Sequence, residues 1–106
     1  MEALPVNRNE DGHWTHPDYA KLFGHREFIT QQEFKSFCES NNIESSITEL
    51  DGDTESSVNR TYFDDGNPDI NNWSPSKPEG YGWFIGSIHD TEDGPICVWF
   101  RKKQVA

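Results

Sequence analysis

The chain has 106 residues, enough for one domain with a modest core. Its 19 acidic and 9 basic residues leave a net charge of −10, which disfavours attachment to a nucleic-acid backbone or an anionic membrane. Only 32% of residues are hydrophobic, but 13% are aromatic, and a buried ring removes roughly 150–250 Å² from water, so a folded core is expected rather than a disordered chain.

Residues 1–28 show neither a helical nor a strand period. Asp11-Gly12 and His16-Pro17-Asp18 are turn signals, and Trp14, Tyr19, Leu22, Phe23 and Phe28 fall at irregular spacings. The segment reads as an irregular arm packed across the domain. A short helical turn over Pro17 to Phe23 is expected, since Pro suits the first helical position.

Residues 29–66 read as helix, strand, helix. Thr30-Gln31-Gln32-Glu33 fits a capping box, with Thr30 as N-cap and the Glu33 side chain reaching back to it. Ile29 and Phe34 are spaced as a hydrophobic staple. The helix is expected from Gln31 to Ser40, with Phe34, Phe37 and Cys38 as its buried stripe and Asn41-Asn42 as its stop. Ile43 and Ile47 fit either a helix or alternate positions of a strand. The preceding Asn pair and the β-branched Ile47-Thr48 favour a strand over Ile43–Leu50. Thr54 to Asp65 is expected to form a second short helix capped by Asp53 or Thr54, with Val58, Tyr62 and Phe63 inward and Gly66 ending it. Residues 67–81 contain three prolines and read as a connector over the surface, pinned by Ile70 and Trp73.

Residues 82–103, GWFIGSIHDTEDGPICVWFRKK, form the one long apolar stretch. Two runs rich in Trp, Phe, Ile and Val flank a loop with Asp93-Gly94, the pattern of a β-hairpin. A two-residue Asp93-Gly94 turn and a four-residue Thr91–Gly94 loop give the same parity. Either way, Trp83, Ile85, Ser87 and His89 share a face with Ile96, Val98 and Phe100. Phe84, Gly86, Ile88 and Asp90 then share the other with Cys97, Trp99 and Arg101. With apolar residues on both faces, the hairpin should be central or covered on both sides. The expected fold is α+β: a small antiparallel sheet centred on this C-terminal hairpin, packed against one or two short helices, in a single domain over residues 1–106.

Chemistry is thinly signalled. His13 and His16 lie three apart, but a zinc site needs further ligands in spaced pairs, and His25, His89, Cys38 and Cys97 are scattered. Asp51-Gly52-Asp53-Thr54-Glu55 opens like a calcium loop, yet the sixth and twelfth places hold Ser56 and Tyr62 instead of Gly and Glu. His89-Asp90 with Glu92 and Asp93 sits at a hairpin tip, where the turn explains the residues and a sheltered general base is not expected. The two cysteines have no disulfide-style spacing, and neither a signal peptide nor a transmembrane run is read, so reduced thiols and a cytoplasmic setting are expected. No cofactor and no metal are expected, and the chain reads as a non-enzyme.

The remaining feature is where the acids fall. Glu44, Glu49, Asp51, Asp53, Glu55, Asp64, Asp65 and Asp69 lie in a stretch whose one base is Arg60, and Asp90, Glu92 and Asp93 add a second group. Such a distribution is either a solvated face that keeps the protein in solution or a contact surface for a basic groove. The expected contact residues are Glu49, Asp51, Asp53, Glu55, Asp64, Asp65, Asp90, Glu92 and Asp93. Trp73 and Trp99 join them as rings that can anchor an interface.

The opening VNRNEDGHWTHPD and the closing EGYGWFIGSIHDTEDGPICVWFRKK resemble the ends of short acidic accessory proteins of enterobacterial phages and prophages. The resemblance covers about half the chain, and no site residues come with it. It implies a small accessory protein in a bacterial cytosol, acting by protein–protein binding on a host or phage protein with a basic surface. A DNA-mimicking inhibitor of a host nucleic-acid-acting system is the sharper form of that expectation. The alternatives are a small metal-dependent or hydrolytic enzyme using the His and Asp residues, and a structural homodimer joined through the hairpin's second face.

Overall fold

Among the described residues the elements follow in the order β1 (Trp14–Thr15), α1 (Pro17–Phe23), α2 (Gln31–Ser40), β2 (Ile43–Glu49), β3 (Phe84–Thr91) and β4 (Gly94–Lys102). The computed structural model describes residues 1–24, 26, 29–53, 66, 70–71, 73–92 and 94–103. The helix expected over 54–65 lies outside them, as do Glu55, Asp64, Asp65 and Asp93. The four strands make one antiparallel sheet in the order β1-β3-β4-β2, so the hairpin supplies the two inner strands. The fold is α+β, as the apolar pattern implies.

Helix α2 begins as its sequence dictates. The Glu33 amide donates to Thr30 Oγ1 at 3.0 Å and the Thr30 amide donates to Glu33 Oε1 at 3.1 Å, closing the capping box. Arg26 reaches Glu33 at 2.6 Å, and its hydrogen bond, followed by the one from the Thr30 amide, pulls the Glu33 carboxyl down to about 2. The helix stops at Asn41 and Asn42, the latter in the left-handed region at φ 52 where Asn is tolerated. Helix α1 starts on His16, which is 1% exposed. Its Nδ1 accepts from the Asp18 amide at 3.1 Å and its Nε2 donates to the Glu2 carbonyl at 2.6 Å. One neutral tautomer serves both bonds, capping α1 and tethering the N-terminal arm.

The sheet is covered on both faces. On one side Ile43, Val98 and Phe100 meet the helices, with Tyr19 at the centre of a ring cluster. Tyr19 stands edge-on to Phe100 at 5.3 Å and to Phe23 at 5.1 Å, and Phe34 and Phe37 close round it. Burial, helped by Cys38, pushes the Tyr19 hydroxyl up to about 12, so it stays neutral. The α2 residues Phe34, Phe37 and Cys38 pack here but remain only half-buried. On the other side Ile88, Cys97 and Trp99 are sealed by Leu50, Ile70 and Trp73. Cys38 and Cys97 belong to opposite faces, and both are free thiols.

Two expectations are corrected. The hairpin faces hold only from the tip to Ser87: Ser87 faces Val98 and His89 faces Ile96, but Ile85 faces Trp99 and Phe84 faces Phe100. Gly86 is the extra residue of a β-bulge, so the alternation reverses there. Phe84 therefore joins the helix-side core, while Trp83 and Ile85 pack on the other face. The N-terminal arm, read as irregular, contributes a fourth strand: Trp14 pairs with Ile88 and Thr15 with Ser87. Two residues carry no period, so only the partner strand defines them.

The bulge has a steric reason. A Cβ on Gly86 would fall inside the Phe100 ring, whereas a Cβ on Gly52 would meet nothing closer than 3.7 Å. In urea titrations Gly86→Ala is expected to lower the unfolding free energy by about 1–3 kcal/mol through overpacking. Gly52→Ala is expected to leave it within about 0.5 kcal/mol.

Candidate functional site

Sheet register decides which acids meet. Glu49 ends β2 opposite Ile96, Asp90 faces Pro95, and Thr91 faces Gly94. The Leu50 amide donates to the Pro95 carbonyl at 2.9 Å, holding the β2 exit against the start of β4. Glu49 and Asp51 therefore lie on one flank of β4, and Asp90 and Glu92 on the other, two strand spacings or roughly 10 Å apart. All four are exposed. At the far end of β4, about 20 Å away by strand rise, stand Arg101, Lys102 and Lys103. There Arg101 pairs with Glu44 and stacks over the Trp83 ring at 4.4 Å. The sheet is thus negative at the hairpin tip and positive at its base.

Three of the expected contact residues are not at the surface. Asp53 is 7% exposed and accepts three hydrogen bonds, from the Trp73 indole at 3.0 Å, the Ser76 amide at 3.1 Å and the Ser76 hydroxyl at 2.7 Å. Burial alone would raise its carboxyl, but the bonds from Ser76 and Trp73 outweigh that and hold it below its usual value. Trp73 has no exposed surface, and Trp99 is 5% exposed with its indole donating to Thr48 at 3.1 Å. Both rings are core residues because the connector needs anchors on the second face of the hairpin. That face is covered in part by Ile70 and Trp73. Tyr81, in contrast, stands in solvent at 78% exposure.

Side chains that the sequence did not flag hold the irregular cover in place. Arg8 donates to the carbonyls of Gly12 at 2.8 Å, Trp73 at 2.6 Å and Ile70, fastening arm and connector together. Gly12, at φ 86, lies so close to the Ile70–Asn71 backbone that a side chain would collide with it. Nothing local marks Arg8 as a fastener, because the Ile70 and Trp73 carbonyls that it ties to the arm are more than 60 residues away.

A second polar cluster lies between α1 and the sheet. Thr15 Oγ1 is 3.0 Å from Ser87 Oγ, which is 2.8 Å from His89 Nδ1. These groups line a cavity of about 330 Å³ with Tyr19 and Phe23. Burial, with repulsion from His13, lowers the His89 pKa against an opposing pull from Asp90, favouring the neutral imidazole. Ser87 is 1% exposed and bonded on both sides, so its geometry ties β1 to β3 rather than presenting a hydroxyl for attack. Among the described residues no three His, Cys, Asp or Glu side chains are grouped to hold a metal ion. No helix among them is long and apolar enough to cross a membrane.

Comparison with protein families, with curated proteins and with solved structures finds no match to this chain.

The buried Asp53 bonds set a pH dependence. A carboxyl whose pKa is lowered by folding contributes stability above its unfolded value, and that contribution is lost as pH falls through the folded one. Asp53→Asn is expected to destabilise the protein by about 1.5–3 kcal/mol at neutral pH. The gap from wild type should close as pH falls below about 4, measured by thermal or urea unfolding across pH.

Proposed function

We propose that the protein works by binding, without chemistry of its own, to a partner protein that presents a basic surface. The contact is the acidic tip of the sheet, and the observation that carries this reading is the register that gathers Glu49, Asp51, Asp90 and Glu92 at one end of β4. Segregating Arg101, Lys102 and Lys103 at the other end gives the molecule a direction, which orients an approaching charged partner. Exposed carboxylates gathered at one end of the sheet, with Glu49 on its helix face and Asp90 on the other, also supply the charge that imitation of nucleic-acid phosphates needs. The reading therefore extends to inhibition of a nucleic-acid-acting protein, in the bacterial, phage-borne setting that the chain ends suggest.

The test is affinity capture from bacterial extract with the tagged full chain, at low and high salt. Capture should fall steeply as salt rises, because exposed charge pairs are screened beyond about 10 Å at 0.1 M. Duplex DNA should displace the captured protein if the acidic tip imitates phosphates. Glu49→Gln with Glu92→Gln should weaken capture several-fold while leaving the melting temperature unchanged. Capture that ignores both salt and these substitutions would remove the proposal.

A further inference from the structure

The two edges of the sheet are built differently. The β3 side is blunted by β1, only two residues long, and by the His16 amide donating to the Gly86 carbonyl at 2.8 Å. The β2 side is an unbroken seven-residue strand that, among the described residues, pairs only with β4. Edge strands in solution are usually guarded by charged side chains, lysine above all, by proline, by a bulge or by a covering segment. Strand β2, IESSITE, has no proline, lysine or bulge, and its charges are both acidic.

The direction of its backbone groups follows from the ladder. The Lys103 amide donates to the Asn42 carbonyl and the Leu50 amide to the Pro95 carbonyl, each at 2.9 Å, so the even-numbered residues bond β4. The amides and carbonyls of Ser45 and Ile47 therefore point outward, along with the Glu49 amide. Side chains of the odd residues face the helix side of the sheet. Ile47 is 55% exposed there and borders a cavity of about 250 Å³ with Ile29, Phe34, Ile96 and Val98.

We propose that β2 is a docking edge that takes an extended, basic segment of a partner protein as a fifth strand. This rests on the binding reading above and names how the partner is held. Main-chain bonds to Ser45 and Ile47 supply the pairing, and an aliphatic side chain at alternate positions enters the cavity beside Ile47. Charge selects the occupant. The strand carries no base; its Glu44 is paired with Arg101 of β4, its Glu49 is exposed, and it runs into the acidic tip at Asp51. A strand alternating Lys with an aliphatic residue complements it. A second copy of this chain would set two Glu-bearing strands side by side, with a net charge of −10 on each molecule.

The experiment uses the full chain and a fluorescent peptide of alternating Lys and Val. Controls are the same length with Glu for Lys, and with Pro at alternate positions. Anisotropy should show binding of the Lys-Val peptide alone, with the Ser45 and Ile47 amides becoming protected from hydrogen exchange. Ser45→Pro removes an outward amide and no bond to β4, so the fold should persist and affinity should drop at least about tenfold. If that variant does not fold, Ile47→Lys keeps every backbone group and should weaken the basic peptide by a similar factor.

Equal binding by wild type and a folded Ser45→Pro, or by the Pro-containing peptide, would overturn strand addition. So would unchanged affinity of Ile47→Lys, or sedimentation showing a dimer that Ser45→Pro dissolves, since the edge would then belong to a second copy. Ser45→Pro alters no charge. Capture of the cellular partner that survives it but fails with Glu49→Gln and Glu92→Gln would therefore reject the docking edge and leave the charge reading standing.

Discussion

A two-stranded ribbon with large apolar side chains on both faces cannot keep both out of water by itself, and that constraint organises this molecule. The β3–β4 hairpin places Val98 and Phe100 on one face and Ile88, Cys97 and Trp99 on the other, and all five are buried. Two covers are therefore needed. Helices α1 and α2 supply one, meeting in the rings around Tyr19 and Phe100. The second comes from backbone with no regular structure among its described residues, carrying Leu50, Ile70 and Trp73.

An irregular cover has a difficulty that a helix does not: its carbonyls and amides have no internal partners. Here specific side chains satisfy them. Arg8 takes three carbonyls with one guanidinium, a task suited to its planar fork of donors. Asp53 accepts from Ser76 twice and from the Trp73 indole, and Thr48 donates to the Ser76 carbonyl at 2.7 Å. An acid and two tryptophans that could have served a partner are consumed in holding the second face shut. What remains at the surface includes the exposed acids at the tip and the edge of β2, which among the described residues has no strand beside it.

Those two features are linked by geometry. Strand β2 runs toward the hairpin tip, so the edge that offers main-chain bonds ends where the carboxylates gather. A partner strand laid along β2 would have its own end beside Glu49 and Asp51. In the proposed complex, charge at the tip would speed and orient encounter, while the backbone edge and the cavity beside Ile47 would give register.

Much of this fold is legible in the sequence itself. The capping box of α2, the Pro-led turn of α1, the β2 segment and the hairpin depend on contacts within a few residues, so their signals lie next to one another in the chain. The bulge at Gly86 was not legible: it exists because the Phe100 ring needs the volume that a side chain at position 86 would occupy, a contact across two strands. Strand β1 was hidden for the same reason, since Trp14 and Thr15 become a strand only beside Ile88 and Ser87. Asp53, Trp73 and Trp99 looked like contact residues because composition reports that an acid or a ring is present and not whether the fold has already used it. Local chemistry settled which segments become helix or strand, through caps, turns and side-chain alternation. Long-range packing alone decided which of the described acids stand in solvent, which tryptophans are core and which strands lie at the sheet's edges, because each is a property of neighbours brought from distant parts of the chain.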